Sequence, residues 1–175
     1  MDCFQAMRER HSYRGAYTNA PVPEADLRKI MEAGILAPSG NNDQTTSFVA
    51  VTDPALLKQI ATIAPDTKAL ATCRALIAVV MDAPSEIPPG HGFFGIEDYS
   101  AAVQNMLLAI TSLGYASVWF DGVLRSEGRA RFVGDLLGVP PQKEVRVVLP
   151  VGVPAEPLVD HGRRPFDARA HWNRW

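Results

Sequence analysis

Cysteine is scarce in this chain: Cys3 and Cys73 are the only two among 175 residues. Two thiols cannot build a disulfide framework, and their spacing fits no zinc site, so a reducing compartment is expected. Long apolar runs are missing too, and none approaches the roughly 20 residues a membrane helix needs. The first ten residues carry Asp2, Arg8, Glu9 and Arg10. They leave no apolar core for a secretory leader, and a cytoplasmic protein is expected. Charge of one sign is not in excess: 17 basic against 19 acidic residues give a net charge of −2. This offers neither nucleic acid nor an anionic membrane an electrostatic handle. Internal repeats and low-complexity tracts are also absent. What remains is the composition of an ordinary globular chain, long enough for a single domain that buries roughly 70% of its unfolded surface.

The hydrophobic pattern divides that domain into alternating elements. Asp2 is placed to cap a short helix over residues 2–10. Pro23-Glu24-Ala25-Asp26 opens a second, with apolar residues at helical spacing from Leu27 to Ile35 and a stop at Pro38. Phe48 to Val51 reads as a strand. Asp53-Pro54 starts a helix through Ile63. Ala75 to Met81 is a continuous apolar run, the mark of a strand buried on both faces. A Pro/Gly-rich loop at 83–97 precedes a long apolar helix expected to be capped by Asp98 and closed by Gly114. Strands follow at Ala116–Phe120 and Val145–Val151, with an amphipathic helix over Ser126–Leu137 between them. Helices interleaved with strands around one small sheet imply an α/β or α+β layered domain.

Four stretches carry chemistry, and each has a bland alternative. In "RERHSYR", Arg8, Arg10 and Arg14 flank His11 and Ser12, which is either a solvated basic helix end or a grip for a phosphate or carboxylate. "APSGNNDQTTS", residues 37–47, follows a buried helix with nine successive small or polar residues from Ser39 onward. Its Ser39, Asn42 and Gln44 either satisfy their own backbone or face a planar heterocycle with alternating donors and acceptors. Asp121-Gly122, at the end of a strand, is either a plain turn or a place where backbone N–H groups approach a ligand. The tail "HGRRPFDARAHWNRW" adds Arg163 and Arg164, with Trp172 and Trp175 expected to dock on a surface. Gly90-His91-Gly92-Phe93-Phe94-Gly95 spells the dinucleotide fingerprint. It lacks a preceding strand and a following acidic strand end, and so reads as a loop carrying aromatics.

In their order along the chain, these pieces resemble the FMN-dependent nitroreductase family. They are Arg-His-Ser-x-Arg near residue 10, Ala-Pro-Ser-x-x-Asn-x-Gln near 40, Leu-Gly-x-x-Ser-x-Trp near 115, and Gly-x-Pro followed by Arg-Arg-Pro. Asp98 followed by Gln104-Asn105-Met106-Leu107-Leu108-Ala109 is similar to that family's central helix. The resemblance implies an α+β, three-layer fold, with helices around a small mixed sheet and two chains entwined as a homodimer. It implies a single FMN-binding domain over 1–175, with residues 154–175 forming an arm on the partner subunit.

By the same resemblance, Arg10, His11, Ser12 and Arg14 would hold the flavin phosphate and pyrimidine edge. Pro38, Ser39, Asn42 and Gln44 would line the ring from the partner chain. Asp121 and Gly122 would offer N–H groups to the N5 and O4 edge. Arg163, or Arg164 in a shifted register, would close on the phosphate, and Lys68 is a further candidate cation near N1 and O2. The implied activity is electron transfer from NAD(P)H, through FMN in a ping-pong scheme, to a small organic acceptor such as a nitroarene or quinone. A flavin-binding or flavin-fragmenting protein of the same fold is the alternative. No metal and no side-chain nucleophile or base is called for, because the cofactor does the redox chemistry. The family's usual Pro-Trp after the Gln is replaced here by Thr45-Thr46.

Overall fold

A computed structural model of the chain describes residues 1–175. In chain order the elements are α1 (Cys3–Glu9), α2 (Glu24–Ile35), β1 (Thr46–Val51), α3 (Pro54–Ala61), α4 (Lys68–Thr72), β2 (Ala75–Asp82), α5 (Gly95–Ser112), α6 (Arg129–Leu136) and β3 (Lys143–Val151). The strands form one sheet in the order β1-β2-β3. Both pairings are antiparallel, so the mixed sheet expected above is corrected to an antiparallel one. The segment expected as a strand at Ala116–Phe120 makes only isolated bridges. It is antiparallel to β3 at Val148 and to Gly152 just beyond β3, and parallel to the N-terminal segment at Ser12. That last bridge is the sole parallel feature.

β2 lies in the middle and is buried on both faces, as its continuous apolar run requires. Alternation divides its side chains: Leu76, Ala78 and Val80 face one layer, and Ala75, Ile77, Val79 and Met81 the other. The first layer is roofed by α3, α4 and α6 through Leu57, Ile60, Leu70 and Val133, and the second by α2 and α5 through Leu27, Ile30, Val103 and Met106. Three layers result. In β3 the parity breaks, with Val145 and Val148 on one face and Val147 and Leu149 on the other. The pairing slips between Val79 and Val80, which face Val147 and Val145, so Arg146 is an extra residue in a bulge. The bulge leaves the Arg146 guanidinium 6.0 Å from the Tyr99 ring.

Most helix boundaries follow the sequence. Asp2 accepts from Gln5 N–H, Asp53 accepts from Ala55 and Leu56 N–H, and Gly114 and Gly138 end their helices with positive φ. α3 stops at Ala61 rather than Ile63, α4 is an additional short helix, and α6 begins only at Arg129. Asp98 does not cap α5. The helix begins three residues earlier, at Gly95, and Asp98 is drawn into the interior by two hydrogen bonds from the 39–45 loop.

Candidate functional site

The N-terminal segment runs from α1 along the far edge of the sheet. Tyr13 N–H donates to Ser117 C=O at 2.9 Å. The Tyr13 hydroxyl in turn accepts from Ala155 and Glu156 N–H at 3.1 and 3.2 Å, which draws the start of the tail to the same place. Arg10 and Arg163 are thereby brought together. Burial first, and the Arg163 guanidinium second, push Arg10 below the ordinary guanidinium value. Both causes disfavour its positive charge, and the attraction of a bound anion would offset them. His11 Nδ1 stands 3.9 Å from Asp160 Oδ1. Ser12 and Arg14 line a cavity of about 210 Å³ with Glu156 and His161. Arg164 is exposed and forms no ion pair or side-chain hydrogen bond.

Ser117, opposite Ser12, is 3% exposed, and its hydroxyl has no partner. A buried unpaired hydroxyl is costly, so this one is a polar group in need of a partner. In the sequence Ser117 is a motif position whose signal is a serine inside an otherwise apolar run. Four residues on, the carboxylate of Asp121 is held by Arg125 at 2.5 Å. The N–H groups of Asp121 and Gly122 serve no loop or cap hydrogen bond and remain available as donors.

The polar loop lies elsewhere. Pro38, Ser39, Asn42 and Gln44 precede β1, at the opposite edge of the sheet. The order across the molecule is β1, β2, β3, then 116–120, then Ser12. Four spacings of about 4.8 Å put roughly 19 Å between the two edges. A single chain therefore does not bring the predicted residues into one site. The loop has an unusual backbone: Asn41, Asn42 and Gln44 adopt φ of 52°, 59° and 52°. Asparagine tolerates this region, but a left-handed glutamine is uncommon and strained. The local-turn reading holds for two of the three polar side chains. Ser39 Oγ accepts Gln44 N–H at 3.1 Å, and Gln44 Nε2 reaches Asn42 C=O at 3.4 Å. The Asn42 amide makes no intrachain hydrogen bond.

Across the mouth of this loop lies the aromatic segment. A Cβ on Gly40 would fall 2.2 Å from the Phe94 ring, so glycine is what lets that ring seat. A cavity of about 120 Å³ behind the loop is lined by Ser39, Gln44, Thr45, Phe48 and Asp98. A larger cleft of about 800 Å³, between α3, α4 and residues 19–22, contains none of the predicted site residues. Lys68 is exposed at the start of α4. Cys73 is buried, and burial pushes its thiol up to about 11, which leaves it unreactive. No helix is long and apolar enough to cross a membrane.

Comparison with known proteins identifies the family and the fold. The sequence model of the nitroreductase family matches residues 7–72 and 66–153. A protein of Archaeoglobus fulgidus named "Putative NADH dehydrogenase/NAD(P)H nitroreductase" is 33% identical over 155 residues, covering 89% of this chain and 87% of its own. A Vibrio harveyi NADPH-flavin oxidoreductase is 25% identical, over 91% of this chain and 69% of its own. Among solved structures, a Desulfovibrio desulfuricans protein named "putative nitroreductase in complex with fmn" superposes with a TM-score of 0.83. It is 27% identical and is covered over 98% of its chain, against 100% of this one. With the family match spanning nearly the whole chain and the fold shared end to end, this protein belongs to the nitroreductase family.

Proposed function

We propose that the protein is an FMN-dependent oxidoreductase that takes electrons from NAD(P)H and passes them to a small organic acceptor, a nitroarene or quinone, as a homodimer. The observation that carries this reading is the buried, unpaired Ser117 hydroxyl opposite Ser12, with Arg10 two residues before Ser12 in the chain and its pKa lowered by burial and by the Arg163 charge. Two cations, one of them half-buried, fit a phosphate dianion better than they fit each other. In this reading Arg10, Ser12, Arg14 and Arg163 hold the phosphate. The free N–H groups of Asp121 and Gly122 receive the ring edge, and Lys68 supplies a cation at its N1 side. Arg163 rather than Arg164 fills the tail position, because it is Arg163 that faces Arg10. Bound FMN would supply the two-electron exchange, and no side chain of this chain is asked to act as base or nucleophile.

The distance between the two halves supports the homodimer. Residues 38–44 are separated from Ser12 within one chain by four strand spacings, roughly 19 Å across the sheet alone, and they lie at the other end of the strands, which favours a second copy bringing its loop to the ring. Apolar side chains are available for that contact: Phe4 and Met7 on α1, Ile35 and Leu36 at the end of α2, and Phe166, Trp172 and Trp175 in the tail are all exposed. Residues 1–175 then form one domain, with 154–175 as an arm on the partner. Donor and acceptor would occupy the same face in turn, which is a ping-pong scheme. Parallel double-reciprocal plots for NADH or NADPH against menadione or nitrofurazone, with purified yellow protein, test the reading. Flavin bound without any turnover would favour the alternative of a flavin-binding or flavin-fragmenting protein.

A further inference from the structure

The carboxylate of Asp98 joins the two ends of the polar loop. Its Oδ1 accepts the Gly40 N–H at 2.8 Å, and its Oδ2 accepts the Thr45 hydroxyl at 2.7 Å. Asp98 is 4% exposed and Thr45 2%. No lysine, arginine or histidine pairs with the carboxylate. A carboxylate buried without a counter-ion depends on its hydrogen bonds, and these two donors come from residues 58 and 53 positions away in sequence. Its place in the first turn of α5 adds the favourable end of the helix dipole. Between the two tied ends lie the three left-handed residues Asn41, Asn42 and Gln44. Such backbone persists only where its surroundings over-determine it.

We propose that Asp98 and Thr45 are positioning residues for the cofactor loop: the buried carboxylate fixes the curvature that presents Ser39, Asn42 and Gln44, and the Thr45 hydroxyl makes that hold two-ended. Amide side chains read a heterocycle edge only when their donors and acceptors are aimed before the ring arrives. A loop released at Thr45 would keep its side chains and lose their aim. The proposal rests on the flavin reading above.

Three variants of the full-length protein test it. Thr45→Val keeps the shape and removes the hydroxyl, Thr45→Ser keeps the hydroxyl, and Asp98→Asn removes the negative charge that strengthens both hydrogen bonds. The readouts are amide exchange of residues 39–45 in flavin-free protein, FMN affinity by flavin fluorescence, and the midpoint potential of bound FMN. Thr45→Val and Asp98→Asn are expected to speed exchange in the loop and to weaken FMN binding about tenfold or more, the effect of one charge-assisted hydrogen bond. The potential should move with them, and Thr45→Ser should match wild type. Should Asp98→Asn fail to fold, the two Thr45 variants carry the test alone. Faster loop exchange in Thr45→Val with unchanged FMN affinity and potential overturns the positioning role while leaving the flavin reading standing. Equal damage from Thr45→Ser and Thr45→Val also overturns it, since packing and not the hydroxyl would then be responsible. A wild-type protein that binds no FMN overturns the flavin reading first, and the positioning role with it.

Discussion

His91 Nδ1 lies 2.8 Å from Asp43 Oδ1 and 3.0 Å from Oδ2, so one imidazole faces both oxygens of a single carboxylate. The contact ties the Pro/Gly-rich segment before α5 to the loop before β1, close to where Phe94 seats on Gly40. One flank of the candidate pocket mouth is thereby fastened to the other.

The fastening is local. The His91 side chain is 40% exposed and that of Asp43 10%, so the pair contributes at most about 1 kcal/mol. Asp43→Asn is therefore expected to speed amide exchange over residues 88–94 while lowering Tm by no more than about 4 °C. Unchanged exchange in that segment would show that the aromatics alone hold it.

Arg10 and Arg163 yield an expectation with opposite signs in the two states of the protein. Their mutual repulsion opposes folding when no anion is present, so Arg163→Gln should leave the flavin-free protein as stable as wild type or slightly more so. With a phosphate between them both are favourable, and losing either should weaken FMN binding by about 1.5–3 kcal/mol. Arg164→Gln should do much less. Calorimetric FMN titrations and melts of the flavin-free proteins measure both halves. Full affinity in Arg10→Ala would remove the phosphate assignment.

Cys73 gives a pH dependence whose sign is fixed by its burial. Its thiol is pushed up to about 11, against about 9 when free in the unfolded chain. The folded state thus favours the neutral thiol. That contribution is complete below pH 9 and is lost as pH rises from about 9 to 11, where only the unfolded thiol ionises. Wild type should lose about 1 kcal/mol at pH 10 that Cys73→Ala does not lose, read from denaturant melts at pH 8 and 10. A thiol reagent should modify exposed Cys3 at once and Cys73 only on unfolding.

The layers were legible in the sequence because β2 states them twice: its apolar run is continuous, and its alternate residues meet different helices. The caps at Asp2 and Asp53 were legible because capping is local. Asp98 was misread as a cap for the same reason. Its two partners are Gly40 and Thr45, and no local pattern announces a hydrogen bond across more than 50 residues. The isolated bridges at Ala116 and Phe120 were hidden likewise, since composition registers a strand's residues and not the neighbours it lacks. Motif order offered candidate site residues, and the resemblance assigned residues 38–44 to the partner chain; the opposite sheet edges on which the two groups lie depend on strand order, which no local pattern states.

Asn42 provides the sharpest separation between a cofactor loop and a plain one. Its φ of 59° is one that aspartate also tolerates, and its side chain makes no hydrogen bond within the chain, so Asn42→Asp should scarcely alter stability. On the flavin reading, the new carboxylate would face ring carbonyls and, once the ring is reduced, a negative charge. Two unit charges about 4 Å apart repel by roughly 4 kcal/mol at an effective dielectric near 20. Solvent at the exposed loop would reduce this, yet a fraction suffices to lower the midpoint potential and slow reduction by NAD(P)H. A turn residue with no ligand predicts neither change. Stopped-flow reduction and a potentiometric titration of Asn42→Asp, beside an unchanged melt, would assign the amide to the ring; wild-type values in both would return residues 39–44 to the role of a connector.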